Sequence, residues 1–371
     1  MTTIYRNSMA KPATVSGGRP AALVSAYRSG RTITPLAFWF CIGVLLSSVG
    51  FAREPQIEGQ PWTAPWQQQS APSSLDAAIS GLTERLRDSS PAVREAAAYA
   101  LRVMGPGAKA AIPALAELLR DPDRCIRATA AHTLANMGPE AAASLPQLLQ
   151  DNDASIRELA VQTLRQIGAD AKDTVPAIAE RLRDSDARVR EAAAFALQNM
   201  LPQSKAAIPA LAAVLRDTDH YVRAAAAHTL GKMGPEAVPS LTQLLEDRRA
   251  HVRELAAQVL REIGAEAKQA IPALAQRLRD ADPSVRQAAA LALREMTPEN
   301  GAIPALAATL RDRDYYVRAT AAHSLEAMGL AAVPSLTEVL RDNDPRAREL
   351  AVQALREIAT RTVPGTVGGG R

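Results

Sequence analysis

The sequence predicts an all-α solenoid: nine helix pairs stacked in line over residues 75–360, arranged as three copies of a three-pair block. Three observations carry this. Apolar residues make up 47% of the chain but only 4% are aromatic, so Ala and Leu must supply the core, a palette suited to helices rather than to sheet surfaces. An Asp and an Arg recur six residues apart nine times: Asp88/Arg94, Asp121/Arg127, Asp151/Arg157, Asp184/Arg190, Asp217/Arg223, Asp247/Arg253, Asp280/Arg286, Asp312/Arg318 and Asp342/Arg348. The intervals between successive arginines are 33, 30, 33, 33, 30, 33, 32 and 30 residues. Units 1, 4 and 7 therefore match, as do 2, 5, 8 and 3, 6, 9, and the true period is about 96 residues.

Each part of a unit has its own signal. Seven units place a proline eight residues before the Asp (Pro113, Pro176, Pro209, Pro239, Pro272, Pro304, Pro334), where it fits the first turn of a helix without removing an intrahelical bond. A leucine-rich first helix runs to the Asp, a short turn follows, and a second helix opens with an apolar residue and the Arg. At 100° per residue the second helix of unit 1 gathers Val93, Ala97, Ala100, Leu101 and Met104 on one stripe, the expected core face. Glycine follows the second helix in six units (Gly105, Gly138, Gly168, Gly234, Gly264, Gly329), where a left-handed cap is expected. Second-type units carry a loop three residues shorter than the others. The nine Asp–Arg pairs are expected to form a structural ladder, so Asp217→Ala should lower the melting temperature.

The segment before the repeats differs in kind. Residues 1–53 hold six basic side chains (Arg6, Lys11, Arg19, Arg28, Arg31, Arg53) and no acid, leaving 37 basic against 39 acidic residues in the rest. The formal charge of +4 thus does not describe a basic body, and nucleic acid is not an expected partner. Leu36–Phe51 (LAFWFCIGVLLSSVGF) is an uncharged apolar run after a basic lead, with small residues at Gly50 and Ala52. These are the parts of an export signal. A run of 16 residues is short for a spanning helix, which needs about 20, so a cleaved signal is favoured over an uncleaved anchor. Residues 1–52 are therefore read as basic lead plus signal peptide or membrane anchor, with membrane contact only through residues 36–51. Cys41 follows Phe38-Trp39-Phe40 rather than small residues, so lipidation is not expected. Residues 53–74, rich in Pro and Gln, read as a flexible linker and residues 361–371 as a disordered tail. The expected location is exported or periplasmic, or anchored in the bacterial cytoplasmic membrane.

A proline-led helix such as IPALAELLRD followed by CIRATAAHTLANMG resembles HEAT repeats, and among them the HEAT-like repeats named after phycobilisome lyases. The resemblance covers residues 75 to about 360 and implies a scaffold whose second helices line a concave side. The position five residues after each Arg lies about 240° round the helix from the first apolar residue and is expected on the exposed flank. Along the stack it reads Tyr99, His132, Gln162, Phe195, His228, Gln258, Leu291, His323 and Gln353. His220 with Tyr221, and Tyr315 with Tyr316, stand at the turns just before. Shallow pockets with aromatic anchors suit a protein or peptide partner. The expected contact ridge is Tyr99, His132, Gln162, Phe195, His220, Tyr221, His228, Gln258, Tyr315, Tyr316, His323 and Gln353. The competing reading is that this row merely survives from duplication of one ancestral block.

Catalytic readings fare worse. Three equivalent histidines invite a metal site, but units three apart at 8–10 Å per helix layer separate them by roughly 25–30 Å, and ligands of one ion sit about 2 Å from it. Deoxyhypusine hydroxylase, also built from HEAT-like repeats, binds iron through His-Glu pairs after the repeat arginine; the corresponding pairs here are Glu95-Ala96, Ala128-Thr129 and Glu158-Leu159 and their copies. A hydroxylase-like oxidoreductase and a phycobilin lyase-like attachment of a chromophore therefore stand only as alternatives. No cofactor is expected, and neither a phosphate loop, a nucleophile elbow nor a zincin motif occurs.

Overall fold

A computed structural model of the chain describes residues 74–296 and 301–362. The apolar run at 36–51, the linker up to residue 73 and the tail beyond 362 lie outside the described residues.

Helices alternate along the chain in pairs. The first pair is α1 (Ser74–Arg85) and α2 (Pro91–Met104), the second α3 (Ile112–Glu117) and α4 (Arg124–Met137). In the third, a single helical turn α5 (Pro139–Ala142) and a 3-10 turn at Leu148–Gln150 stand in for a full first helix before α6 (Ala154–Ile167). The middle block comprises α7 (Val175–Arg181) with α8 (Ala187–Asn199), α9 (Ile208–Val214) with α10 (His220–Met233), and α11 (Val238–Leu244) with α12 (Ala250–Ile263). The last comprises α13 (Ile271–Arg277) with α14 (Pro283–Glu295), α15 (Ile303–Thr309) with α16 (Tyr315–Met328), and α17 (Val333–Val339) with α18 (Pro345–Thr362). No strand occurs among the described residues, and the architecture is an all-α solenoid. The final helix runs to Thr362, two residues past the expected boundary of the repeats.

Local chemistry accounts for the boundaries. All seven ladder prolines sit in the first turn of a first helix, where their missing N–H costs nothing. A second Asp, two residues after the ladder Asp, caps most second helices: Asp219 accepts from the N–H groups of Tyr221 and Val222, and Asp314 from those of Tyr316 and Val317. The six glycines have φ between +59° and +74°, but the expected left-handed cap is corrected. Their ψ values fall near −140°, as in Gly105 (−141°) and Gly138 (−145°), a region that excludes a Cβ far more firmly than αL does.

One continuous apolar cluster runs from Ile79 to Ile358. In α2, Ala97, Ala98 and Leu101 are buried while Val93, Ala100 and Met104 are only half-buried. The predicted stripe keeps its place, with Ala98 added, and its edge is open here because no described pair precedes this one. The equivalent Ile126, Ala130, Thr133, Leu134 and Met137 of α4 are all buried. Each such buried Leu, Ile or Val contributes about 1.5–3 kcal/mol, so stability accumulates along the stack.

Loop length divides the junctions into two kinds. The links after Met104, Ile167 and Ile263 are seven-residue 3-10 segments (Gly105–Ala111, Gly168–Thr174, Gly264–Ala270). After second-type helices they shrink to four-residue 3-10 segments, Gly234–Ala237 and Gly329–Ala332, and in the first block Gly138 leads straight into the α5 turn. Across these shorter links the two flanking second helices (α4 and α6, α10 and α12, α16 and α18) pack less closely than second helices do elsewhere.

Candidate protein-binding surface

The Asp–Arg ladder joins neighbouring units. Arg94 donates through Nη1 to the main-chain carbonyls of Asp88 (2.9 Å) and Ser89 (3.2 Å) in its own turn. Through Nε and Nη2 it donates to both carboxylate oxygens of Asp121 in the next unit, at 2.6 and 3.1 Å. Arg157 with Asp184, Arg190 with Asp217, Arg253 with Asp280 and Arg286 with Asp312 repeat this fork. The Asp121 side chain is 4% exposed and that of Arg94 13%, so the pair is well shielded and directional. Burial opposes ionisation of Asp121, Asp184, Asp217, Asp280 and Asp312. The guanidinium hydrogen bonds, a backbone N–H two residues on and the positive charge outweigh it, holding all five carboxyls below the usual carboxylate range.

At every second-type unit the ladder stops. Arg127, Arg223 and Arg318 keep the bonds to their own turns; Arg223 Nη1, for example, donates to the carbonyls of Asp217 and Thr218 at 2.8 and 2.9 Å. Among the described residues none of the three has a carboxylate within ion-pair distance. The aspartates one unit on accept instead from the end of a first helix: Asp151 from Arg120 at 2.7 Å, Asp247 from Arg216 at 2.6 Å and Asp342 from Arg311. The short link is the cause. It re-seats the third-type unit, so that Arg127 no longer reaches Asp151.

The same division explains the predicted contact row. At closed junctions Tyr99, Gln162, Phe195, Gln258 and Leu291 are half-buried, because the adjoining second helix covers that flank, and the expectation of an exposed row is corrected there. Phe195 packs against the apolar core. Tyr99 lies under the Arg102 guanidinium, 4.6 Å from its ring centre, while Gln162 and Gln258 donate to Glu158 (2.7 Å) and Glu254 (2.9 Å) one turn back. At open junctions His132, His228 and His323 are exposed, as is Gln353 in the last described unit.

The open junctions also gather the polar and aromatic groups. A cleft of about 440 Å³ between units 8 and 9 is lined by Tyr315, Arg318, Ala319, Ala322, His323 and Glu326 on one wall and Arg346, Glu349, Leu350 and Gln353 on the other. Of the predicted residues it unites Tyr315, His323 and Gln353. His323 lies 3.3 Å from Glu326, and Arg318 lies 5.9 Å from the Tyr315 ring centre. Tyr316 stands beside Tyr315, edge to face at 5.5 Å, and the two are 68% and 66% exposed. In the middle block His220 and Tyr221 form the same edge-to-face pair at 5.8 Å, with Tyr221 68% exposed. His228 there lies 3.9 Å from Glu262 of the next unit, and in the first block His132 lies 3.1 Å from Gln166. Gly231 makes the approach of Glu262 possible: a Cβ at that position would come within 2.7 Å of its carboxyl group.

Sequence reasoning missed the unpaired arginines. The signal was the 30-residue interval, which removes three residues between Arg127 and Asp151 relative to the closed pairs. Among the described residues no group of three or more His, Cys, Asp or Glu side chains is placed to hold a metal ion, and no helix is long and apolar enough to cross a membrane.

Comparison with known proteins agrees on the architecture. No curated protein matches the chain. Among solved structures the fold is similar to the crystal structure of Kap121p, with 14% identity, a TM-score of 0.57, and coverage of 91% of this chain and 43% of that one. It is also similar to the karyopherin Kap121p bound to the extreme C-terminus of the protein phosphatase Cdc14p (14% identity, TM-score 0.56, covering 76% and 38%) and to Kap121p bound to Nup53p (15% identity, TM-score 0.54, covering 76% and 37%). The chain thus spans about two fifths of the length of those proteins, and at such identity the likeness concerns the fold alone. The profile of HEAT repeats matches residues 79–165, 144–231, 175–261, 208–294 and 271–356, three quarters of the sequence, and the chain belongs to the HEAT-repeat family.

Proposed function

We propose that the solenoid is a non-enzymatic scaffold that binds a protein or peptide partner along the side formed by its second helices, the concave side of the stack. The observation that carries this reading is the set of tyrosines at the starts of α10 and α16. Tyr221, Tyr315 and Tyr316 are about two-thirds exposed, yet each is fixed in place by an Asp-capped helical turn. Large, pre-positioned aromatic surfaces left in water are characteristic of interface anchors. The Kap121p structures solved with Cdc14p and Nup53p segments support the general idea that a stack of this kind holds protein ligands. Within the family, IPALAELLRD and CIRATAAHTLANMG favour the phycobilisome-lyase type of repeat. The basic lead and the apolar run at Leu36–Phe51 favour export, or anchorage at a bacterial cytoplasmic membrane.

A photo-crosslinking amino acid placed at Tyr316, with a second protein carrying it at Gln243 on the first-helix side, tests the reading. Crosslinks to a protein from the source membranes should form at position 316 and disappear when His228 and Tyr221 are both replaced by Ala. Equal crosslinking at position 243, or a partner set indifferent to the double substitution, would refute it.

A further inference from the structure

We infer that the three open junctions are carboxylate-reading subsites, and that the ligand on the second-helix side is an extended acidic peptide; this rests on the protein-binding reading above. Nine units carry the same arginine, and five give it a carboxylate in the next unit. Arg127, Arg223 and Arg318 are the interior members without one. They are half-buried; the own-turn Asp121 and Asp217 act on Arg127 and Arg223 only at a distance, and a guanidinium partly withdrawn from water gains from a ligand that brings a carboxylate into direct contact. Their own-turn bonds engage Nη1; Nε and Nη2, the edge that grips Asp121 or Asp217 elsewhere, form no such pair here, and Arg318 lines the cleft between units 8 and 9. An incoming carboxylate would reproduce that two-point bond.

The surroundings favour a peptide over a bare anion. On the α16 wall of the cleft between units 8 and 9 the small side chains of Ala319 and Ala322 leave room for a main chain, while Gln353 and Glu349 on the far wall offer acceptors for its N–H groups. Arg346 on that wall is exposed and its side chain has no partner among the described residues, so this cleft holds two guanidiniums beside the carboxylates of Glu349 and of Glu326, the latter 3.3 Å from His323. The position of Arg346 is taken by His251 in the middle block and Ser155 in the first, which grades the subsites from strongest at the C-terminal end to weakest at the N-terminal end. Three helix layers at 8–10 Å each separate successive clefts by roughly 24–30 Å, and an extended chain crosses that in about eight residues. The ligand therefore carries acidic side chains about eight residues apart.

The test is a fluorescence-anisotropy titration of the full 371-residue chain with a labelled peptide of about 20 residues bearing Glu at about eight-residue intervals. Its twin, with every Glu replaced by Gln, and a third peptide with the glutamates four residues apart serve as comparisons. The Glu peptide should bind about tenfold or more tightly than either. Arg318→Gln should weaken it about tenfold, Arg346→Gln about threefold and Arg127→Gln least. Arg346 bonds nothing through its side chain, so its effect is free of any folding defect, and the peptide comparison needs no protein variant. Equal binding of the Glu and Gln peptides, or indifference to both Arg318→Gln and Arg346→Gln, overturns the inference; if Tyr316 crosslinks still form, the protein-binding reading survives it. Stronger Arg318-dependent binding of phosphatidylglycerol vesicles or of a single-stranded oligonucleotide overturns the peptide assignment.

Discussion

Two junctions built from nearly the same residues behave differently. Between units 4 and 5, Arg190 forks onto Asp217 at 2.7 and 2.9 Å. The buried hydroxyl of Thr229 donates to the carbonyl of Ala194 at 3.0 Å, so the second helices are tied at both levels. Between units 5 and 6, Arg223 occupies the same place in its helix, but its counterpart Asp247 is taken by Arg216 and the second helices pack less closely. Three missing residues in one link separate the cases. A repeat protein can thus keep its ladder residues everywhere and still open the stack at chosen intervals, because the loop, not the ladder, sets which charges meet.

The contrast breaks most visibly under substitution of the two arginines. Arg190→Ala removes a shielded fork as well as the bonds to its own turn and should cost about 2–3 kcal/mol, whereas Arg223→Ala removes only bonds to its own turn and should cost about 1 kcal/mol or less. Chemical denaturation of the two variants measures both. Replacing Gly234–Ala237 by the seven-residue sequence of Gly264–Ala270 should close the open junction. Arg223 would then reach Asp247, with a gain in stability of about 1 kcal/mol and a weaker response to the acidic peptide; a loss of both would show that loop length is not the cause.

Acid provides the next test. Asp217 and its four equivalents titrate below their ordinary range in the folded chain. The stabilisation they provide is complete above the unfolded carboxyl value of about 3.9 and is lost as pH falls further, through the folded value. The melting temperature should therefore hold steady down to about pH 4–5 and drop below it, and Asp217→Asn should flatten part of that drop. The smallest effect is expected at Gly231. Its replacement by Ala pushes only the free end of the exposed Glu262 side chain, while the helix gains up to about 1 kcal/mol in propensity. Stability should stay level or rise slightly, in contrast to Gly264→Ala, where φ is +68° and a loss of about 1–2 kcal/mol is expected.

Most of the architecture was legible because each feature has a local cause. Prolines in first turns, glycines at the ends of second helices and the 33/30 alternation can all be read from single positions or spacings. The contact row was legible only in part. Helical phase placed Tyr99, Phe195 and His228 at one angle, but whether a flank at that angle meets water depends on the neighbouring unit, which phase does not encode. Hence His228 is exposed and Phe195 is not. The unpaired state of Arg223 was hidden for a related reason: the six-residue Asp–Arg motif is intact in every unit, and the pairing that matters runs between units.

The most direct measurement is a pair of double-mutant cycles, Arg190 with Asp217 and Arg223 with Asp247, each to Ala, read by equilibrium denaturation. A coupling of about 1.5–3 kcal/mol in the first and near zero in the second is the predicted result. Equal couplings at the two junctions would contradict the division of the stack into closed and open interfaces.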